Sequence, residues 1–516
     1  MRTINSEEFG KVLVRELPLP EGADPQFTTY TPSGRVACMY YEKDDPENFI
    51  HIMTLNDDGS EICHVYDGEW KSIYRSNGFR YMPFADNKRA YIGDFILECT
   101  PDCDHCEKAE FIPIRYPEEL LQMPGLWMVW SENVIAPDNE HIAWSSLGMI
   151  HGVYVAKLRR EAECYELDDI RCVSLPGMVT EDPEHPGCFL EGPVRGGEVK
   201  QFVRGGRGLS YVGTGRGSGA SMLQALDSEE VLEITKTPCY DETTMFSPDE
   251  KLGVVMSTRF SPKTNCAILG LIPRRGNMMT KSAVINMVYM YAVAGARAFT
   301  DGANVGPALI SIEKSMSDLT YMGLDLHDPE DRFVYYSPIS WHPSSKKAMW
   351  NERLRRTLGN EGRVMIVELP DYVPGELPEV TPVPENIPYA KPGILTEIPK
   401  QFPEIRVAGK HSGFAVTKMS REGSLTKYET AYEGFSDDGE SFLNGYESCV
   451  TPGMIAPGAT TYRAELTLTG SHEGEMNAEL IFHFTTPQTP TTLDPASFGY
   501  ATYDGVTVRV DEMFRS

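Results

Sequence analysis

MFSPDEKLGVVMS, residues 245–257, holds a turn followed by a strand. Ser247-Pro248-Asp249-Glu250-Lys251 carries the residues that favour a tight reversal, and Leu252 to Met256 is apolar and β-prone. The same phrase recurs as TPSGRVACMYY at Pro32, FADNKRAYIGD at Ala85, APDNEHIAWSS at Pro137 and HPSSKKAMWNE at Pro343. A degenerate copy, RGGRGLSYVGTG, runs from Arg204 to Gly215. A second apolar run follows the turns: FIHIMTLNDDG, DFILEC, HGVYVAKL, ASMLQALD, CAILGLIP and RVMIVELP.

Each unit therefore contains at least two strands. Apolar strands before the turn, such as DETTMF and YYSPISW, and one after the second run bring the number to four per unit of about fifty residues. Such units bury both faces by packing radially, which predicts an all-β, six-bladed β-propeller over residues 1–370. Seven blades result if the stretch 276–334, with KSAVINMVYMYAVAGARAFTDG, supplies a blade; an insertion plus a partial blade is the favoured reading. Nine prolines from Pro370 to Pro403 predict a stiff linker or strap over residues 371–399. The alternation in TYRAELTLTGSHEGEMNAELIFHF and the turn at Asp438-Gly439 predict a small antiparallel β-sandwich over residues 400–516, a surface for homo-oligomer formation.

The serine-proline-aspartate turn, best seen at Ser247-Pro248-Asp249 and Ala136-Pro137-Asp138, resembles the TolB-like β-propeller repeat over roughly residues 25 to 370. This resemblance implies the fold and leaves the activity open, because the repeat serves binding proteins, peptidase-associated propellers and oligogalacturonate lyases alike. The chain has no Gly-x-Ser-x-Gly elbow, which argues against a propeller-linked serine peptidase.

The chain has 75 acidic and 47 basic residues, a formal charge of −28, which repels nucleic acid and anionic membrane surfaces. The sequence also lacks a signal-like start and any long apolar run. Eleven scattered cysteines fit reduced thiols and hence a cytoplasmic location. Cys99, Cys103 and Cys106 in ECTPDCDHCEKAEF have the look of a metal knuckle but lack its second half, so a reduced loop is the expectation. The glycine-rich stretch 205–221 lacks a phosphate-loop lysine and is expected to lie over the channel mouth, where Arg204, Arg207 and Arg216 would meet an anion.

In a propeller, the start of each innermost strand opens on one mouth of the axial channel. This places Arg80, Glu132, Asn133, Gln201, Asp241, Glu242 and Tyr336 there, together with Arg259, Asn351, Glu352 and Arg353 from the ends of the following strands, and His151. Glu132, His151, Asp241, Glu242 and Glu352 are the candidate catalytic groups; Arg80, Asn133, Gln201, Arg259, Tyr336, Asn351 and Arg353 are the candidate substrate contacts. A divalent metal shared by the carboxylates is compatible with this set, and its ligands are not specified. The expected activity is acid-base elimination or hydrolysis of a polar or anionic small molecule such as a sugar derivative. Two other readings stay open: the carboxylates pair with Arg80, Arg259 and Arg353 merely to join blades, or the face is a non-catalytic platform for a peptide or protein.

Overall fold

The computed structural model describes the whole chain except residues 71–79, 123–132, 147–151, 175–179, 191–194, 215–218, 238–240, 261–304, 319, 356, 397–401, 453–457, 485–491 and 512–516. The repeated phrases fold as repeated antiparallel sheets. The first sheet joins Asp24–Tyr30, Val36–Tyr41, Phe49–Leu55 and Cys63–Glu69 in chain order. The second begins at Met82–Pro83, the third at Asn133–Ile135, the fourth at Glu198–Val203 and the fifth at Asp241–Phe246, each again with four strands in chain order. The last sheet runs Phe333–Trp341, Lys347–Leu354 and Gly362–Glu368, and Gly10–Glu16 and Arg2–Ser6 from the start of the chain add to it. The two ends of the repeat are thus hydrogen-bonded into one sheet, which leaves no free edge where the ring closes.

The innermost strands stand side by side in ring order: 333–341 against 24–30, 82–83 against 133–135, then 198–203, then 241–246 and back to 333–341. Apolar clusters fill the spaces between successive sheets, such as the one of Val254, Leu309, Trp341 and Trp350. The protein is a β-propeller.

The turns sit together at one end. At the position where glycine is the easiest residue, φ is +88° at Gly34, +56° at Asn87, +64° at Asn139, +64° at Gly205, +56° at Glu250 and +58° at Ser345. Copies without glycine adopt the same left-handed geometry because neighbouring turns bind one another. Ser345 Oγ accepts from the Asp249 amide at 3.2 Å. Asn139 accepts from the Asp86 amide at 3.3 Å, and the Glu250 carboxylate from the Arg204 amide at 2.5 Å. His342 caps its own turn through Ser344, as a turn histidine would.

Residues 276–304 of the ambiguous stretch lie outside the described residues, as does CAILGLIP. The third strand of the fifth sheet is Gly306–Ser311 and the fourth Leu324–Asp325. The proline-rich segment is a strap. It crosses the turn end, where Tyr372 Oη and the Gly375 amide donate to Asp249 at 2.6 and 2.9 Å, the Thr381 amide to Gly205 O at 2.9 Å and the Val383 amide to Asp138 at 3.1 Å. Lys391–Pro392 then pairs with the outermost strand of the third sheet.

From Glu404 the described strands form one continuous antiparallel ladder through 506–509, the antiparallel β domain expected there. Short hairpin turns at Gly423 and Asp438-Gly439 connect its long neighbours. Phe402, just before its first strand, packs on Phe189 of the short hairpin Thr180–Glu181/Phe189–Leu190, with ring centroids 4.9 Å apart. Among the described residues no helix is long and apolar enough to cross a membrane.

Candidate functional site

Away from the turns, the innermost strands share an irregularity. The ladder slips between Pro25 and Phe27, Val199 and Gln201, Asp241 and Thr244, and Tyr336 and Ile339. An extra residue in one strand bends it and re-aims its side chains. Here four of the innermost strands are bulged at the same level, the end of the axis opposite the strap.

Charged groups meet at that level. Lys200 Nζ lies 3.1 Å from Glu198 and 3.4 Å from Glu242, and its side chain is almost wholly buried. The buried Tyr335 phenol is pushed up by burial and, further, by Glu242, while Arg80 and Lys200 pull against this. Arg80 precedes the second sheet, Lys200 belongs to the fourth, Glu242 to the fifth and Tyr335 to the last. Arg80, Lys200 and Glu242, from three other sectors of the ring, thus lie within electrostatic reach of the Tyr335 phenol, which itself packs in the apolar cluster between the fifth and last sheets. Asn133, from the third sheet, presents a buried side-chain oxygen with no hydrogen-bond partner among the described residues.

Other predicted site residues are engaged in holding strands together, within one sheet or between two. Asp241 and Arg259 form an ion pair of 2.9 Å with both side chains fully excluded from solvent, and Thr237 and Met322 O complete it. Glu352 accepts from Trp350 Nε1 at 2.8 Å and from its cross-strand neighbour Arg363 at 2.6 Å; burial raises its carboxyl above the ordinary range, and Arg363 opposes that rise. Gln201 clamps the Phe246 peptide of the next sheet, accepting from its amide at 2.8 Å. Asn351 bridges Thr28 and Gln26 O, and Arg353 holds Asp24 at 2.9 Å, so both tie the last sheet to the first. Tyr336 lies between Phe27 and the Arg353 guanidinium. Glu132 and His151 lie outside the described residues.

The sequence reading missed Lys200 and Glu198. Reading back from the turn makes Gln201 the residue at the mouth, whereas the ladder slips between Val199 and Gln201 and Lys200 is the residue that pairs with Glu198 and Glu242. Arg204 and Arg207 stand at the turn end beneath the strap, away from this mouth, and Arg216 lies outside the described residues. Cys99 and Cys103 are buried, and with Cys106 they are free thiols in an apolar cluster.

No family model and no curated protein matches the chain. Solved structures that it resembles include a protein from Agrobacterium tumefaciens assigned as TolB, with 8% identity over 73% of this chain and 90% of that one and a TM-score of 0.30. Prolyl oligopeptidase B from Galerina marginata gives 8% identity over 80% of this chain and 47% of that one, TM-score 0.31. The β-propeller domain of the Trilobed protease from Pyrococcus furiosus gives 10% identity over 95% and 98%, TM-score 0.24. These likenesses assign no activity.

Proposed function

We propose that the bulged end of the axis binds a polar, anionic small molecule, a sugar acid or similar compound, and that the protein is a lyase or hydrolase acting on it. The observation that carries this reading is the convergence of Lys200, Glu242, Arg80 and Tyr335 from four sectors of the ring. Lys200 and Arg80 supply positive charge in a partly desolvated place, where attraction for a carboxylate or phosphate is stronger than in water. Asn133 supplies an acceptor for a ligand hydroxyl or a bound water.

In an elimination, Glu242 takes the proton next to the ligand's carboxylate, and Lys200 and Arg80 stabilise the negative charge that develops there. Tyr335, held protonated by its burial, gives a proton to the leaving oxygen. Asp241 and Glu352 act in this scheme as supports, since each carboxylate is held by an arginine. The test is turnover of uronate-containing oligosaccharides, followed by ultraviolet absorbance of the conjugated unsaturated acid and by release of reducing ends. Glu242→Gln should lower the rate at least about 100-fold, the usual contribution of a positioned acid or base. Equal rates in the two proteins would remove Glu242 from the chemistry.

The same arginine pairings favour a second reading, in which the mouth binds its ligand without transforming it. That reading predicts binding by wild-type protein with no product by either assay.

A further inference from the structure

A second cluster of ionisable groups lies on the first sheet, where Glu42 and Asp45 of the loop joining Val36–Tyr41 to Phe49–Leu55 meet His51 of the third strand and Asp67 of the fourth. His51 faces Asp67 directly across the ladder to the fourth strand, and its Nδ1 stands 2.5 Å from Asp67 Oδ1. A contact that short to a carboxylate places the ring proton on Nδ1. Nε2 then carries a lone pair, and it points at Asp45 Oδ1, 3.2 Å away. Glu42 brings a carboxylate so that the ligand atoms of Glu42, Asp45 and His51 all lie within 4.8 Å of one another.

A neutral imidazole nitrogen and two carboxylates cannot satisfy one another, because all three are acceptors. The arrangement asks for a cation between them. A proton answers that need by converting the ring to imidazolium; a metal ion answers it with three bonds instead of one. The 3.2 Å between His51 Nε2 and Asp45 Oδ1 is close to the separation of about 3.4 Å between ligands that stand about 2.1 Å from a tetrahedral ion.

The surroundings hold the ring in one orientation. Tyr40 stacks on it at 4.9 Å and 19°, and Phe49 meets it edge-on at 5.1 Å. Asp45 is fixed from its other oxygen, which accepts from the Glu42 amide at 2.6 Å. A carboxylate that orients a histidine through its second nitrogen is the common support of a metal-bound imidazole. His51 and Asp45 keep only 13% and 15% of their side-chain surface exposed, enough for a water to complete the coordination.

We propose that Glu42, Asp45 and His51 bind one divalent transition-metal ion of the zinc type, with Asp67 as the positioning residue. One nitrogen and two carboxylate oxygens suit zinc or manganese better than calcium, which prefers an all-oxygen shell of six to eight ligands. The free thiols of Cys99, Cys103 and Cys106 are the competing location on this chain for a thiophilic ion.

The test is titration of the full-length, tag-free, chelator-stripped protein with Zn²⁺ by calorimetry and with Co²⁺ by absorption spectroscopy. One ion per chain is expected, with weak visible bands and without the intense near-ultraviolet band of a cobalt–thiolate bond. His51→Ala should abolish binding, and Asp67→Asn should weaken it about 10- to 100-fold. Glu42→Gln, at an exposed position, should weaken it while leaving circular dichroism unchanged, which separates loss of a ligand from loss of fold. A thiolate band, the same affinity in His51→Ala, or no uptake of either ion would overturn the proposal and leave His51 as an imidazolium between carboxylates.

Discussion

Arg259 Nη2 and Asp241 Oδ1 lie 2.9 Å apart in the fifth sheet, and neither side chain touches solvent. Such a pair is costly to break from one side, because the remaining charge is left buried without compensation. Asp241→Asn and Arg259→Met should each lose about 3–5 kcal/mol of stability, and the double variant should lose less than the sum of the two. Urea unfolding of the three variants measures this. A loss below about 1 kcal/mol in both single variants would show that water reaches the pair.

The turn at Asp138 gives the fold a pH dependence. Burial alone would raise its carboxyl, but His141, the amides of Glu140 and His141 and the Val383 amide of the strap together bring it down to about 2. A depressed carboxylate contributes stability that is complete above its unfolded value of about 4 and disappears as pH falls to about 2. That contribution is about 2 kcal/mol at neutral pH. Asp138→Asn should therefore be less stable at pH 7, and its stability should fall less steeply than that of wild type between pH 4 and pH 2.

The strap is held through the repeat's own turn residues. Asp249 receives Tyr372 Oη and the Gly375 amide, and a Cβ at Gly205 would overlap the Glu379 carbonyl. Tyr372→Phe should cost about 1.5–3 kcal/mol, the value of a hydrogen bond to a charged group. Gly205→Ala should displace the strap further, since its new side chain meets backbone. Hydrogen exchange read on amides from 375 to 383 should accelerate in both variants, with exchange in the innermost strands unchanged.

Much of this fold is legible in the sequence, and the reason is physical. A turn needing one left-handed residue, followed by an apolar strand, leaves the same trace at Gly34, Asn139 and Glu250 even where glycine is replaced. The strap is equally legible from its prolines. What the sequence conceals is register: counting back from the turn selects Gln201, while the ladder slips at that level, Gln201 clamps Phe246 and Lys200 is the residue that meets Glu198 and Glu242. A bulge comes from packing between sheets and has no local signature in these strands. Nor does sequence tell a catalytic carboxylate from a structural one. Asp241 and Glu242 are adjacent, yet one is locked to Arg259 and the other pairs with Lys200 of the neighbouring sheet.

The pairing of Lys200 with two half-buried carboxylates also predicts which substitutions are silent for the fold. Lys200→Met removes a buried ammonium from between Glu198 and Glu242, both of which retain partial exposure and can turn to water. Its unfolding midpoint in urea should lie close to that of wild type, in contrast to Arg259→Met.

That contrast makes Lys200 the position at which to test the ligand site. The measurement is thermal unfolding of wild type and Lys200→Met against a panel of sugar acids, sugar phosphates and uncharged sugars. At a concentration 100 times its dissociation constant a ligand stabilises its protein by about 2.7 kcal/mol. An anionic compound that raises the midpoint of wild type and leaves Lys200→Met unmoved is the predicted result. The same rise in both proteins, or a response only to uncharged sugars, would contradict an anion site at the bulged end of the axis.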